Sequence, residues 1–134
     1  MKSPHTLGAT TVVALPSLNI HGLQARVDTG AATCALNASV IAYNEDTSEL
    51  VVVLFDKDSD YYTGEKIVFT DFVVRNVRNS FGIRKSRPMV KTLVTINQQS
   101  FEVLIGFSDR TKLTYDMLVG RNLLEKGFIV DVTK

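Results

Sequence analysis

The sequence contains a single cysteine, Cys34, and only two histidines, His5 and His21. One thiol excludes an intrachain disulfide, and so few soft ligands exclude a zinc finger or metal cluster, so neither a metal nor another cofactor is expected. Long apolar runs are missing too: the longest, such as Leu50 to Phe55, have strand length and fall far short of the ~20 residues that cross a bilayer. The first residues, Met1 to Thr6, carry one lysine and no apolar run of roughly 7–15 residues, so no signal peptide is expected. A cytoplasmic location follows, or a periplasmic one if a leader has been removed. Strong net charge is also absent, since fifteen Lys+Arg against fourteen Asp+Glu give +1, which argues against a dedicated nucleic-acid binder. At 134 residues the expectation is one domain, 1–134, with room for one core.

The apolar residues that are present come in short, β-branched runs: Thr11–Leu15, Leu23–Val27, Leu50–Phe55, Ile67–Val74, Met89–Ile96, Phe101–Phe107 and Phe128–Val132. Between them lie turn-forming stretches, among them 19–22, 56–60, 97–100 and 108–110, so the pattern predicts an all-β chain of hairpins. Only Arg121–Lys126 reads as a helix, stopped by Gly127. Charge is uneven along the chain. Residues 45–71 hold Glu45, Asp46, Glu49, Asp56, Asp58, Asp60, Glu65 and Asp71 against Lys57 and Lys66, whereas Phe72 to Phe101 hold no acid and six bases, Arg75, Arg78, Arg84, Lys85, Arg87 and Lys91. Either the two faces neutralise each other or are simply solvated, or the basic stretch forms a cationic wall along a substrate groove.

Two motifs carry chemistry. In Arg26-Val27-Asp28-Thr29-Gly30-Ala31 an acid leaves a strand and is followed by a small hydroxyl residue and glycine, a loop able to support a carboxylate in a partly desolvated cleft. Alone, this is also an ordinary capping turn. Towards the other end, Met117-Leu118-Val119-Gly120-Arg121-Asn122-Leu123-Leu124 places apolar residues, Gly and Arg ahead of a short helix. Together the pair resembles the retroviral-type aspartic proteases, the retropepsins. The resemblance covers most of the chain: 18–22 matches the hairpin before the catalytic loop, Arg78–Met89 the flap, and 44–70 looks like an insertion. It implies a closed β-barrel with one short C-terminal helix. Within that superfamily the sequence is similar to the bacterial group labelled ATP-dependent zinc proteases, some of them encoded beside a RimK-type glutamate ligase, through Arg26–Ala31 with Thr33 and Leu36, Arg87-Pro88, Ser108-Asp109-Arg110 and Leu118–Leu124. Neither a phosphate-binding glycine loop nor a His-Glu-x-x-His helix occurs in the chain, so nothing in it predicts ATP or zinc.

The resemblance implies a mechanism in which two closely spaced carboxylates share a proton, one activating water and the other protonating the tetrahedral oxygen. The chain offers one suitable acid, Asp28, so the second must come from another copy in a C2 homodimer. By the same resemblance Thr29 would bond to its symmetry mate and Gly30 would offer its carbonyl to the substrate. Ala31 and Ala32 would line the adjacent pocket, and the flap tip, Ser80-Phe81-Gly82-Ile83, would cover the substrate. Arg121 is a structural support. In retropepsins its partner is an acid just after Asp-Thr-Gly-Ala, where this chain has Ala32, so Asp116 or Asp131 must substitute or Arg121 serves only as a donor at the helix start. Cys34 reads as a small buried residue, His21 as a solvated turn residue, and Asn37-Ala38-Ser39 as a formal glycosylation sequon without relevance inside a bacterial cell.

These readings make the expected function that of a homodimeric aspartic endopeptidase acting on a peptide or protein tail. The basic run around the flap and the glutamate-ligase neighbourhood of some relatives suggest an acidic, glutamate-rich tail. A catalytically inactive retropepsin-fold peptide-binding module is the alternative, favoured by Ala32. A small barrel gripping RNA through Arg75–Lys91 is a third reading, but only Phe72, Phe81 and Phe101 lie near those bases. Neither nucleic acid nor membrane is therefore expected as a partner.

Overall fold

Along Ile20–Val27 the apolar Leu23, Ala25 and Val27 are buried while His21, Gln24 and Arg26 are exposed, the period of two that places one face of a strand on a core. The same logic, repeated, makes the chain almost entirely β in a computed structural model that describes residues 5–78 and 81–134. The strands are β1 (His5–Leu7), β2 (Thr10–Leu15), β3 (Ile20–Val27), β4 (Cys34–Asn44), β5 (Glu49–Leu54), β6 (Ile67–Phe69), β7 (Val73–Arg78), β8 (Arg84–Ile96), β9 (Gln99–Ser108), β10 (Met117–Val119) and β11 (Phe128–Val130). A 3₁₀ turn, Pro16–Leu18, and one short helix, α1 (Arg121–Leu124), complete the described elements. None of the helices among the described residues is long and apolar enough to cross a membrane.

Pairing runs in the order β10-β3-β2-β8-β9-β4-β5-β6, with β7 added on β8, and β10 also pairs with β4. β10 therefore sits between two strands: it is parallel to β3 (Leu118 opposite Arg26, Val119 opposite Val27) and antiparallel to β4 (Met117 opposite Leu36, Leu118 opposite Ala35). β1 and β11 form a separate parallel pair. The interior is filled by Leu15, Leu36, Val94, Ile96, Ile105, Met117 and Leu123, all fully buried.

Several boundaries differ from the sequence expectation. Ile67–Val74 divides into β6 and β7, which pair with different neighbours, β5 and β8. β8 begins at Arg84 rather than near Met89, because the basic residues before Met89 pair with β7 out to Arg78. The helix stops at Leu124. β4 was not anticipated. The stretch 44–70, an insertion by the retropepsin resemblance, contains β5, whose Leu50 and Val52 are fully buried and add to the core.

Candidate active site

Asp28 follows directly on β3, and its backbone amide donates to the Val119 carbonyl of β10 at 3.0 Å. Its carboxylate Oδ1 accepts the Gly30 amide at 2.9 Å while its carbonyl accepts the Ala31 amide at 3.2 Å, which folds the Asp28–Ala31 loop into a tight turn. The second motif closes on this loop from beneath. Gly120 passes so close to it that a Cβ there would lie 2.4 Å from the Thr33 carbonyl oxygen, so only glycine fits. The amides of Arg121 and Asn122 then donate to the carbonyls of Ala31 and Ala32 at 2.8 and 3.1 Å. Two motifs remote in sequence thereby become one backbone unit.

Arg121 finds its partner in the loop itself: a guanidinium nitrogen (Nη1) donates to the Thr29 carbonyl at 3.1 Å. The acids considered as substitutes are engaged elsewhere, Asp116 by the Asn37 side chain and Asp131 by the Thr133 amide and hydroxyl. Because Arg121 is exposed, its charge stays hydrated, and the absence of an acid at Ala32 leaves no buried charge uncompensated. Asn122, which sequence reasoning passed over, braces the unit further. Its Oδ1 accepts the Cys34 amide at 3.1 Å and its Nδ2 donates to the Leu104 carbonyl at 2.8 Å, joining α1 to β4 and β9. The signal was present in the Gly-Arg-Asn triplet. Cys34 is fully buried, and burial pushes its thiol up to about 11, so it stays protonated at neutral pH, as a packing residue rather than a nucleophile.

The expected site residues fall into two groups. Asp28, Thr29, Gly30, Ala31 and Ala32 are gathered with Arg121 in the loop unit, where Asp28 and Ala31 are half-buried and Thr29, Gly30 and Ala32 are exposed. Phe81, Gly82 and Ile83 lie at the end of the β7–β8 hairpin, with Phe81 86% exposed and Gly82 at φ +79°. Ser80 lies outside the described residues.

A second set of residues was not anticipated. Asn37 is fully buried, and its Nδ2 donates to Asp56 at 3.1 Å and to Asp116 at 2.9 Å while its Oδ1 accepts the Arg110 amide at 2.7 Å. An amide so enclosed cannot carry a glycan; the sequon is a structural hub. It fixes Arg110, whose Nε donates to the Tyr115 carbonyl at 3.0 Å. Arg110 is half-buried: burial and the neighbouring Arg87 and Arg26 work against its charge, while the carboxylates of Asp116 and Asp28 support it. Arg110 is thus the basic side chain within electrostatic reach of the Asp28 carboxylate.

A family model described as RimB-like, the retropepsin-like aspartic endopeptidase RimB, matches residues 6–134. The chain belongs to this family. Among curated proteins, the chain is similar to a probable alpha-L-glutamate ligase of Parasynechococcus marenigrum, 27% identical over 130 residues that make up 93% of this chain and 27% of that protein. A probable alpha-L-glutamate ligase of Desulfotalea psychrophila is 25% identical over 127 residues, again 93% of this chain and 27% of that protein. The chain thus spans about a quarter of the length of the curated relatives it matches. A crystal structure of a protein of unknown function from Legionella pneumophila superposes with a TM-score of 0.72, covering 98% of this chain and 96% of the other at 22% identity, a likeness of fold. The family match spans both the Asp28 loop and the Gly120-Arg121 block of this RimB-like chain, the two parts that the backbone bonds join.

Proposed function

We propose that the protein is an aspartic endopeptidase acting as a C2 homodimer on acidic, glutamate-rich protein tails. The observation that carries this reading is the Asp28 loop. One carboxylate is held by the Gly30 amide at the exit of β3, on a loop whose Thr29 and Gly30 are exposed, the arrangement of half a carboxylate pair. A second copy across a two-fold axis supplies the other half. One carboxylate takes a proton from water as its oxygen bonds to the peptide carbonyl carbon, and the other, protonated, gives its proton to the carbonyl oxygen. Proton transfer to the amide nitrogen then accompanies C–N cleavage, releasing a carboxylic acid and an amine.

The pairing of β10 with both β3 and β4 supports reading the sheet as the closed barrel of retropepsins. The names of the relatives, probable alpha-L-glutamate ligases, support a substrate built from glutamate. An inactive binding module drew its support from Ala32, and the bond from Arg121 to the Thr29 carbonyl supplies a tie for the loop that needs no acid. The test is cleavage of glutamate-rich peptides by wild type and by Asp28→Asn over pH 4–8, beside sedimentation at micromolar concentrations. Wild type should cleave as a dimer and the variant should lose at least a thousandfold in rate. A strictly monomeric protein, or a folded variant as active as wild type, would overturn the reading.

A further inference from the structure

We propose that Arg87 and Arg110 form an anion-reading subsite that seats a glutamate side chain of the bound peptide between the cavity at the base of the β7–β8 hairpin and Asp28. This rests on the peptidase reading only for the identity of the bound chain. The starting point is a cavity of about 380 Å³ with apolar walls at Ile41, Pro88 and Phe107 and with Lys85 and Arg87 among its lining residues. Asp109 also lines it and is held ionised by the amide and hydroxyl of Thr111, with Lys85 as its electrostatic counterpart, so Arg87 is the charge left over for a visitor.

Arg87 is built into this place. Gly106 on β9 lies against it so closely that a Cβ there would be 3.2 Å from Arg87 Cδ, so the absent side chain makes room for the arginine stem. The stem is thereby half-buried, yet among the described residues the guanidinium has no hydrogen-bond or ion-pair partner. Directly opposite it on β7 stands Arg75, a like charge where an acid would be stabilising. Arg110 is likewise half-buried, and among the described residues its side chain is engaged through Nε alone, which leaves both Nη groups with donors to offer. The two guanidiniums repel each other and Arg26 adds to the repulsion.

Partly desolvated like charges held together are unfavourable unless an anion joins them, and a guanidinium fork is shaped for a carboxylate. A glutamate side chain meets both halves of the site, its methylenes against the apolar walls and its carboxylate between the arginines. Arg110 directly follows Ser108 and Asp109 of the cavity wall and its charge is felt at Asp28, so the seated side chain belongs to a peptide that also reaches the Asp28 loop.

The test uses the Asp28→Asn protein, which holds a peptide without turning it over. Binding of a labelled tetraglutamate peptide is measured by anisotropy, with tetraglutamine as the neutral control. Adding Arg87→Gln or Arg110→Gln should weaken tetraglutamate binding at least tenfold each and leave tetraglutamine unchanged, Arg→Lys at either position should recover part of the loss, and Lys112→Gln should have no effect. Thermal midpoints show that each variant is folded. Unchanged tetraglutamate affinity in both folded variants, or an equal loss in Lys112→Gln, would overturn the subsite. Arginine-dependent binding without any cleavage by wild type would overturn the peptidase reading and leave the subsite standing; cleavage of acidic peptides unaffected by the arginine variants would do the reverse.

Discussion

The amide of Asn37 ties β4 to the turn after β5 and to the segment between β9 and β10 through bonds to Asp56, Asp116 and the Arg110 amide. Each removed partner would leave buried polar groups unsatisfied, so Asn37→Ala should lower the unfolding free energy by about 3 kcal/mol in urea titrations. Much of that loss would fall on Arg110 and so on the surroundings of Asp28. Cys34 provides a pH-dependent counterpart. Its thiol lies near 11 in the fold against 9.0 when unperturbed, so the folded state keeps a proton that the unfolded chain gives up. The stabilisation is complete below pH 9.0 and is lost as pH rises towards 11. Wild type should therefore lose stability over that range more steeply than Cys34→Ala, by about 1.4 kcal/mol per pH unit, in denaturant titrations at a series of pH values.

At the scale of elements, the site depends on how closely α1 and its approach can pack on the Asp28 loop. Gly120→Ala would drive a methyl group into the Thr33 carbonyl, so it should cost about 3 kcal/mol in unfolding experiments and loosen the loop even where the protein still folds. This element was legible in outline, because Gly-Arg followed by leucines marks a helix start and an Asp after a β-branched run marks a loop. Strands β2, β3, β8 and β9 were legible for the same reason, each carrying a compact β-branched run. β4 was not: Cys34-Ala35-Leu36-Asn37-Ala38 is buried throughout, without alternation, and its small and polar residues resemble a turn until Asn37 finds its acidic partners. Nor could sequence show that Arg121 would bond to a carbonyl in place of the missing acid, since a backbone acceptor has no signature of its own.

Over the whole molecule, the acids of 45–71 and the bases of 72–101 cancel in the sum while remaining apart along the chain. An acidic peptide drawn to Arg87 and Arg110 should feel a field that salt weakens. The KM for glutamate-rich peptides should therefore rise severalfold between about 50 mM and 500 mM NaCl with kcat nearly unchanged, as steady-state kinetics would show. The position of β10 between β3 and β4 has a different consequence, in time rather than space. The Arg121 that holds Thr29 lies 92 residues further along the chain, and the Val119 carbonyl that receives the Asp28 amide lies almost as far. The contacts that shape the Asp28 loop are thus among the most non-local in the fold, so they form late and slowly. Until β10 and Arg121 have been made and have packed, the loop around Asp28 has no fixed shape, so a growing chain cannot yet present this carboxylate as the folded protein does.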